Sequence, residues 1–141
     1  RRYKLKKLAL ISKIAVPMQF TATKIIASQS TVDYSGVVGP DGKAVAFDAK
    51  ETGSKTSFPL KNIEKHQFQF LEYWDACGGE AFFLIQFYNP HPEHAFRADI
   101  DFVSDYWYKS LDGGRKSIPI SAFTDEMKVP TNDYLCLMKK K

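Results

Sequence analysis

The chain has 141 residues, of which 44% are hydrophobic and 26% are charged, a composition typical of one globular domain with a single core. The longest apolar run, residues 81–85, is far too short to cross a bilayer, so we expect no membrane span. The formal net charge is +4, and residues 1–32 carry seven basic side chains and no acidic one, which fits a polyanion-binding surface or a solvated helix end. Cys77 and Cys136 are too few and too separated for a disulfide framework or a metal site, so we expect two buried thiols in a reducing cytoplasm.

The N-terminal part of the chain is predicted to contain a helix end and two strands. Residues 1–7 resemble the last turns of an amphipathic helix, so we expect that this helix begins upstream and that the N-terminus is incomplete. Residues 8–16 are mostly apolar and predict a buried strand that ends at Pro17. Residues 23–27 predict either another strand or the base of a protruding hairpin.

A hairpin is predicted next, with strands over residues 33–38 and 43–50. The residues between them, Gly39-Pro40-Asp41-Gly42, are typical of a turn. Side chains of the second strand alternate between two faces, with Val45, Phe47 and Ala49 on one and Ala46, Asp48 and Lys50 on the other. We assign the apolar set to the core and the set with two charged groups to the face of a functional site.

The remaining elements are predicted to complete an α/β fold. In chain order they are a helix over residues 62–77, strands over 81–88 and 95–100, a short helix over 101–110 and a strand over 134–138. The first of these helices has an apolar stripe, formed by Ile63, Phe70, Leu71 and Trp74, and ends at two glycines. Strands before, between and after one long helix predict a mixed sheet flanked by helices, in a single domain over residues 1–141.

Two acids and a lysine on the predicted hairpin form a pattern typical of metal-dependent phosphodiester hydrolysis. Asp33 precedes Asp48 by fifteen residues, and Lys50 projects from the same strand face as Asp48. Two carboxylates supply the hard oxygen ligands that Mg²⁺ and Mn²⁺ prefer, and an ammonium group stabilises the attacking water or the charged transition state. The alternative is an ordinary Asp–Lys pair on a solvated strand edge.

Three separated segments carry a resemblance to a known family. Residues 30–37 read STVDYSGV, residues 49–60 read AKETGSKTSFPL and residues 113–118 read GGRKSI. In this order they resemble motifs of the RecU family of Holliday-junction resolvases, and the resemblance extends over residues 3–138. It implies a restriction-endonuclease-like fold of the mixed-sheet type predicted above.

The resemblance also implies a function, a cofactor and partners. Members of the RecU family are expected to cut branched DNA at four-way junctions. They are expected to act as homodimers whose two sites nick opposing strands symmetrically and leave 5′-phosphate ends. Mg²⁺ is the implied cofactor, and Mn²⁺ is expected to substitute for it. Recombinase or branch-migration proteins are further implied partners. The expected setting is the cytoplasm, in association with the nucleoid, of a bacterial or phage-encoded protein.

Matching the family motifs residue by residue implies site residues. The catalytic residues are expected to be Asp33, Asp48, Lys50 and Gln67. The implied metal ligands are the carboxylates of Asp33 and Asp48 and the main-chain carbonyl of Ala49. The implied phosphate contacts are Thr31, Lys55, Thr56, Ser57, Arg115 and Lys116. Gln67 is expected to orient water or phosphate, with a solvated helix residue as the alternative.

The chain departs from the family pattern in three places. Family members have a longer stalk between their first strands, so residues 17–30 are expected to form a short stalk-like protrusion or to lack a loop. Asp48 stands in place of a more usual glutamate and is one methylene shorter, which draws the metal toward its strand. Related nucleases contribute a glutamate from their first helix, and since no acid precedes Asp33, we expect that glutamate upstream of Arg1.

Three further features each have an interpretation that needs no function, and we favour that interpretation. His66 is either a general base or a helix-surface imidazole. His91 and His94 are either metal ligands or residues of an ordinary loop. An aromatic cluster suggests base stacking, but its spacing is more typical of a core or a dimer interface; it comprises Phe102, Tyr106, Trp107 and Tyr108.

Three functions agree with these residues, and we favour the first. It is a structure-selective endonuclease that resolves four-way junctions by paired symmetric nicks. The second is a non-catalytic junction-binding or recombination accessory protein with a degenerate nuclease site, which a missing early glutamate favours. The third is a nuclease of simple duplexes or flaps, which rates of cleavage on junction, flap and duplex substrates distinguish from the first.

Overall fold

The computed structural model of the protein describes residues 9–13, 18–20, 25–27, 32–88 and 94–130. The strands in these ranges are β1 (Ala9–Lys13), β2 (Met18–Phe20), β3 (Ile25–Ala27), β4 (Tyr34–Val38), β5 (Lys43–Thr52), β6 (Ser57–Pro59), β7 (Glu80–Phe87), β8 (His94–Asp99), β9 (Ser117–Pro119) and β10 (Lys128–Pro130). The α-helices are α1 (Lys65–Ala76) and α2 (Ile100–Leu111), and the 3-10 helices are Leu60–Asn62, Ile120–Ala122 and Asp125–Met127. Neither α-helix of this part of the chain is long and apolar enough to cross a membrane.

Six strands form one mixed sheet in the order β1-β4-β5-β7-β8-β10. Strands β5 and β7 run parallel, and the other neighbouring pairs are antiparallel. Parallel neighbours need a long crossover connection, and residues 53–79, which include α1, supply it. The predicted mixed sheet is therefore confirmed, and β5 lies inside it between β4 and β7.

Both α-helices contact the same side of the sheet, where the main core lies. Helix α1 contacts β5 and β7, helix α2 contacts β7 and β8, and the helices contact each other. The rings of Phe68 in α1 and Trp107 in α2 stack with their centroids 4.4 Å apart. The sheet contributes buried side chains that include Ala46, Phe83, Ile85, Phe87 and Ala98. Because each buried Phe or Ile contributes roughly 1.5–3 kcal/mol, this layer holds α1 against β5.

The prediction for β5 is right about which side chains share a face, but wrong in placing the main core on the face of Val45 and Phe47. Asp48 pairs with Phe83 of β7, and its face is the one that looks toward the helices and the main core. Val45 and Phe47 point to the opposite side, into a smaller buried cluster with Phe82. In the middle of β5 both faces are buried, at Val45, Ala46, Phe47 and Asp48. Ala49 and Glu51, which follow on the face of Phe47, are exposed.

Strand β1 is an edge strand rather than the predicted buried strand. It pairs with β4 along one side of the sheet. Leu10 is 49% exposed, and Ser12 and Lys13 are exposed as well. The apolar composition of residues 8–16 predicts a strand correctly, but burial depends on the neighbours that the strand finds in the sheet.

Strands β2 and β3 form a separate two-stranded antiparallel sheet, in agreement with the strand or hairpin base predicted over residues 23–27. The predicted stalk-like protrusion near residues 17–30 stays a prediction. Sequence patterns miss β6, β9 and β10, each of which has three residues and ends in proline, a residue that argues against a strand. The predicted strand over residues 134–138 and Cys136 lie outside the described residues. The expectation of a buried thiol at Cys77 is wrong, because this residue is exposed at the end of α1.

A glycine is required where β4 meets β1. A Cβ atom on Gly36 would collide with the main-chain oxygen of Leu10 and would lie 2.8 Å from the Cα atom of Ile11. We expect Gly36→Ala to lower the free energy of unfolding by roughly 1–3 kcal/mol, because the backbones must move apart. Val37→Thr, an exposed β-branched replacement at the next position, should change it by less than about 0.5 kcal/mol. Urea unfolding measures both, and a Gly36→Ala variant as stable as the wild type would contradict this pairing.

Candidate active site

The pairing of β4 with β5 brings the two predicted metal carboxylates together. Its register places Tyr34 opposite Phe47, so Asp33, one residue before β4, lies beside Asp48. The main-chain N–H of Asp33 donates a hydrogen bond of 2.8 Å to Oδ1 of Asp48. The main-chain N–H of Ala49 donates to Oδ2 of Asp33 at 3.4 Å. These two bonds hold the acids side by side, as the hairpin predicts.

Asp48 is fully buried, with a side-chain exposure of 0%. Burial raises the pKa of its carboxyl above the ordinary value, because water no longer solvates the charge. The ammonium of Lys50 lowers this pKa, the carboxylate of Asp33 raises it further, and the N–H of Asp33 lowers it. Since the net direction is upward, an additional positive charge beside Asp48 would stabilise its ionised form.

Lys50 forms an ion pair with Asp48 on the same face of β5. Its Nζ lies 2.9 Å from Oδ2 of Asp48, and the lysine side chain is 18% exposed. Despite this short distance, no donor in the described part of the chain makes a well-aligned hydrogen bond to Oδ2. The contact is therefore mainly electrostatic, and Oδ2 keeps lone pairs for another ligand.

Gln67 connects helix α1 to the carboxylate pair. It is the third residue of the helix and is 8% exposed, and its Nε2 donates to Oδ1 of Asp48 at 3.4 Å. Its Oε1 accepts a hydrogen bond of 3.4 Å from the N–H of Glu64, the residue that caps the helix. Both ends of the amide are thus fixed. The alternative of a solvated helix residue is wrong, while a role of Gln67 in the reaction stays a prediction.

The donor set fits a hard divalent cation. Mg²⁺ binds through one or two carboxylates and completes its octahedron with waters and substrate phosphate oxygens. Asp33 and Asp48 provide two adjacent carboxylates, and among the described residues only Nζ of Lys50 is found close to the buried Oδ2 of Asp48. Within the described ranges, no group of three or more His, Cys, Asp or Glu side chains is arranged to hold a metal. An ion held by these two carboxylates would take its remaining ligands from waters and substrate oxygens. A role of the Ala49 carbonyl as a metal ligand stays a prediction.

An ordered loop after β5 presents the predicted phosphate contacts Lys55, Thr56 and Ser57. The N–H of Ser54 donates to Oγ1 of Thr52 at 3.2 Å. Oγ of Ser54 accepts hydrogen bonds from the N–H groups of Thr56, at 3.3 Å, and Ser57, at 3.2 Å. Because these bonds fix the main chain, the exposed side chains of Lys55 and Thr56 project from a defined backbone. Ser57 is half-buried at the start of β6.

The antiparallel pair of β6 and β9, here called the ribbon, joins this loop to the second predicted phosphate-binding segment. The N–H of Ile120 donates to the carbonyl oxygen of Thr56 at 2.9 Å. The N–H of Leu60 donates to the carbonyl oxygen of Lys116 at 3.0 Å. The sequence analysis missed the ribbon, although both strands share the sequence pattern Ser-x-Pro. In the structure each of them is followed by a 3-10 helix.

The other predicted phosphate contacts are only partly described. Arg115 is exposed, and its Nε donates to Oγ of Ser117 at 3.1 Å. Lys116 is also exposed, and its Nζ lies 3.4 Å from the carbonyl oxygen of Ser110. Both side chains are therefore accessible to a ligand. Thr31 lies outside the described residues.

The histidines, as far as they are described, follow the interpretation without a function. Nδ1 of His66 lies 3.3 Å from Oε2 of Glu64, which is exposed at the start of α1. This contact supports a surface imidazole rather than a general base. His91 and the side chain of His94 lie outside the described residues, so their prediction stays untested.

The aromatic cluster of α2 belongs mostly to the core, as predicted. Its partly buried members pack against the main core, and they are Phe102, Tyr106 and Trp107. Tyr108 is exposed, and its hydroxyl donates a hydrogen bond of 2.6 Å to Oε2 of Glu72 in α1. This contact ties the two helices together and leaves Tyr108 with a structural role.

Comparison with known proteins places the chain in a family. The family model described as Recombination protein U matches residues 1–139. The chain belongs to the RecU family. The resemblance read from the three sequence segments is thereby confirmed.

Individual relatives of this RecU-family chain are named Holliday junction resolvase RecU. The relative from Pediococcus pentosaceus is 39% identical over 97 residues, which cover 69% of this chain and 46% of the relative. The relative from Oenococcus oeni is 37% identical over 117 residues, with coverages of 79% and 57%. The relative from Geobacillus kaustophilus is 42% identical over 90 residues, with coverages of 64% and 43%. The chain spans about half the length of the curated relatives it matches.

The raised pKa of Asp48 gives this RecU-family chain a pH-dependent stability of definite sign. A carboxyl whose pKa is raised by folding binds its proton more tightly in the folded state, so stability falls as pH rises from 3.8 through the folded pKa. Above that range, in chelator, we expect Asp48→Asn to unfold at a higher temperature than the wild type. Glu51→Gln, at an exposed position of the same strand, should follow the wild type.

Thermal unfolding of the three proteins across the acid-to-neutral range provides the measurement. The difference between Asp48→Asn and the wild type should grow with pH and then level off. A wild type that gains stability relative to Asp48→Asn as pH rises would show that the folded state lowers this pKa instead.

Proposed function

We propose that the protein is a metal-dependent, structure-selective endonuclease that resolves four-way DNA junctions by paired symmetric nicks. One observation carries the proposal: in a RecU-family chain, Asp33 and Asp48 lie side by side with Nζ of Lys50 at 2.9 Å from Oδ2 of Asp48. The relatives named Holliday junction resolvase indicate the substrate class. Because the chain spans about half the length of these relatives, the proposal applies to the full-length protein.

The proposed cofactor is Mg²⁺, with Mn²⁺ as a substitute, held by Asp33, Asp48 and the carbonyl of Ala49. Such an ion polarises a phosphate oxygen and lowers the pKa of a bound water. The protein prepares the ligands in advance, because Gln67 donates to Oδ1 of Asp48 and is itself fixed by the N–H of Glu64. Ligands that are already in place need little reorganisation when the substrate arrives.

The proposed role of Lys50 is to stabilise negative charge on the phosphate in the transition state. Its ammonium is close to Asp48 and yet 18% exposed, so it faces both the carboxylates and the solvent side from which a phosphate approaches. Water is largely excluded next to Asp48, and the interaction of Lys50 with a developing charge is therefore stronger than it would be in bulk water. A neighbouring water or phosphate would be positioned by the same ammonium group.

The proposed DNA contacts select shape rather than sequence. Lys55 and Thr56 project from the loop after β5, and Arg115 and Lys116 project from the other end of the ribbon. Ammonium, guanidinium and hydroxyl groups of this kind bind phosphate oxygens without reading bases. Such contacts suit an enzyme that recognises the geometry of a branched backbone.

Paired cutting requires two sites, and we propose a homodimer with one site in each subunit. A four-way junction has approximate two-fold symmetry, which a two-fold dimer matches. The same proposal places the protein in the bacterial cytoplasm alongside the nucleoid. It also includes cooperation with recombinase or branch-migration proteins. The bacterial origin of the named relatives supports this setting.

A non-catalytic junction-binding protein is the second candidate function. The observation that favours it is that, in the part of the chain that the structure describes, no third acidic, cysteine or histidine side chain completes a metal-binding group with Asp33 and Asp48. Such a protein would bind junctions through the same basic segments and would cut none of them.

Cleavage of a synthetic mobile four-way junction by the full-length protein tests the proposal. With Mg²⁺ or Mn²⁺ we expect symmetric nicks, and in chelator none. Asp48→Asn should abolish cutting but keep junction binding, because it removes a metal ligand and leaves the basic segments intact. Lys50→Ala should lower kcat by roughly 10²–10³-fold, as the loss of one preorganised stabilising group does. Lys109→Ala, an exposed control paired with Asp105 on α2, should cut at the wild-type rate.

The competing outcomes are distinct. Cutting that survives Asp48→Asn or continues in chelator would contradict the metal assignment. Tight junction binding by the wild type without nicks at any Mg²⁺ or Mn²⁺ concentration would select the non-catalytic candidate. Equal rates on junction, flap and duplex substrates would contradict selectivity for junctions.

A further inference from the structure

A groove beside the ribbon shares only Lys116 with the proposed DNA contacts and none of its lining residues with the carboxylate site. It lies between the segment that follows β6 and the C-terminal end of α2, and its volume is about 530 Å³. The apolar side chains that line it include Leu60, Ile63, Trp107 and Leu111. Leu111 is 69% exposed. An apolar concave surface of this size with an exposed leucine at its rim is a candidate ligand site.

Two lysines give the groove a positive charge. Lys61 follows β6 and Lys116 precedes β9; both line the groove and both are exposed. Nζ of Lys116 lies 3.4 Å from the carbonyl oxygen of Ser110, which places its ammonium beside the last turn of α2. Among the described residues that line the groove, none is acidic. The complementary ligand is therefore anionic and also presents an apolar surface.

A nucleotide has both properties, since its phosphates are anionic and its base has an apolar face that packs on aromatic and aliphatic side chains. Trp107 offers the aromatic surface, because it is half-buried against Phe68 and still lines the groove. An acidic peptide would pair with the two lysines, but it does not necessarily carry a flat apolar group that packs against Trp107. A second copy of this chain would have to bring an acidic surface to this basic one.

The groove is close to the carboxylate pair and continuous with the predicted phosphate contacts. Ile63 of the groove and Gln67 are four residues apart, so their Cα atoms are at most about 15 Å apart. This distance corresponds to about four base pairs along a duplex. Gln67 in turn donates a hydrogen bond to Asp48. On the other side, the N–H of Leu60 donates to the carbonyl oxygen of Lys116. A strand bound at the nuclease site is therefore within reach of the groove.

We propose that the groove binds an unstacked nucleotide of the branched DNA substrate, with its base on Leu111 and Trp107 and its phosphates at Lys61 and Lys116. This inference rests on the proposed function and deepens it. Bases in an intact duplex stay stacked and paired, whereas bases at a crossover or in a single strand are accessible. The groove would thus favour junctions over linear duplex.

Photocrosslinking of the full-length protein tests the location of the base. A junction carries 5-iododeoxyuridine either at the crossover or in the middle of one arm, and binding is carried out in chelator so that no cutting occurs. After irradiation, mass spectrometry should find the crosslinked peptide that contains Trp107 for the crossover position. A crosslink to this peptide from the arm position alone, or from neither position, would overturn the proposal.

Binding measurements with matched variants provide the second test. Leu111→Ser, Lys61→Ala and Lys116→Ala should each weaken junction binding by roughly tenfold and leave duplex binding nearly unchanged for Leu111→Ser. The two lysine variants should also reduce the slope of log affinity against log salt by roughly one. Leu10→Ser and Lys109→Ala change an exposed leucine and an exposed lysine elsewhere, and they should bind as the wild type does.

The outcomes separate the groove from the nuclease proposal. If the wild type cuts junctions but the groove variants bind them normally, the groove proposal fails and the proposed function stands. If Leu111→Ser instead converts a dimer into monomers in sedimentation, the groove is an interface between copies of the chain, and the nucleotide assignment is overturned. If junction binding is lost while duplex binding remains, the assignment is supported.

Discussion

The antiparallel pairing of β4 with β5 places the two acids and the lysine of the proposed metal site. It sets Asp33 beside Asp48, and the alternation along β5 then puts Lys50 on the face of Asp48. Parallel pairing with β7 and coverage by α1 bury Asp48 from the remaining sides. A buried carboxylate opposes folding unless it is paired, and here its partners are an N–H group, an ammonium group and an amide. A fold that retains such a group inside a hydrophobic layer indicates a functional site.

The connection from β5 to β7 carries Gln67 of the metal site and the first of the two segments proposed to contact DNA. Its first part is the loop ordered by Ser54, its middle is one strand of the ribbon, and its last part is α1 with Gln67 near its start. A parallel sheet requires a long connection of this kind, and the chain uses it for both proposed tasks. Groups proposed to contact DNA and groups proposed to perform the chemistry are therefore fixed to each other through a few hydrogen bonds.

Local sequence patterns predict the parts of this arrangement that depend on local structure. The turn at residues 39–42 and the period-two alternation after it predict that Asp33 and Asp48 meet, and glycines predict the end of α1. Local sequence patterns do not predict burial or strand pairing that depends on distant parts of the chain. The charge on Asp48 predicts a site face opposite the core, yet this face contacts the main core. The ribbon stayed hidden because its strands have three residues and depend on pairing between segments sixty residues apart.

The central claim is that a divalent cation binds between Asp33 and Asp48 with Lys50 alongside. The most direct measurement is anomalous diffraction from a crystal of the full-length protein soaked in Mn²⁺. We expect one strong peak in contact with carboxylate oxygens of both acids, at coordination distances close to the roughly 2.1 Å that Mg²⁺ adopts. Absence of a peak at this position, while Asp33 and Asp48 remain side by side and Mn²⁺ binds elsewhere in the crystal, would contradict the claim.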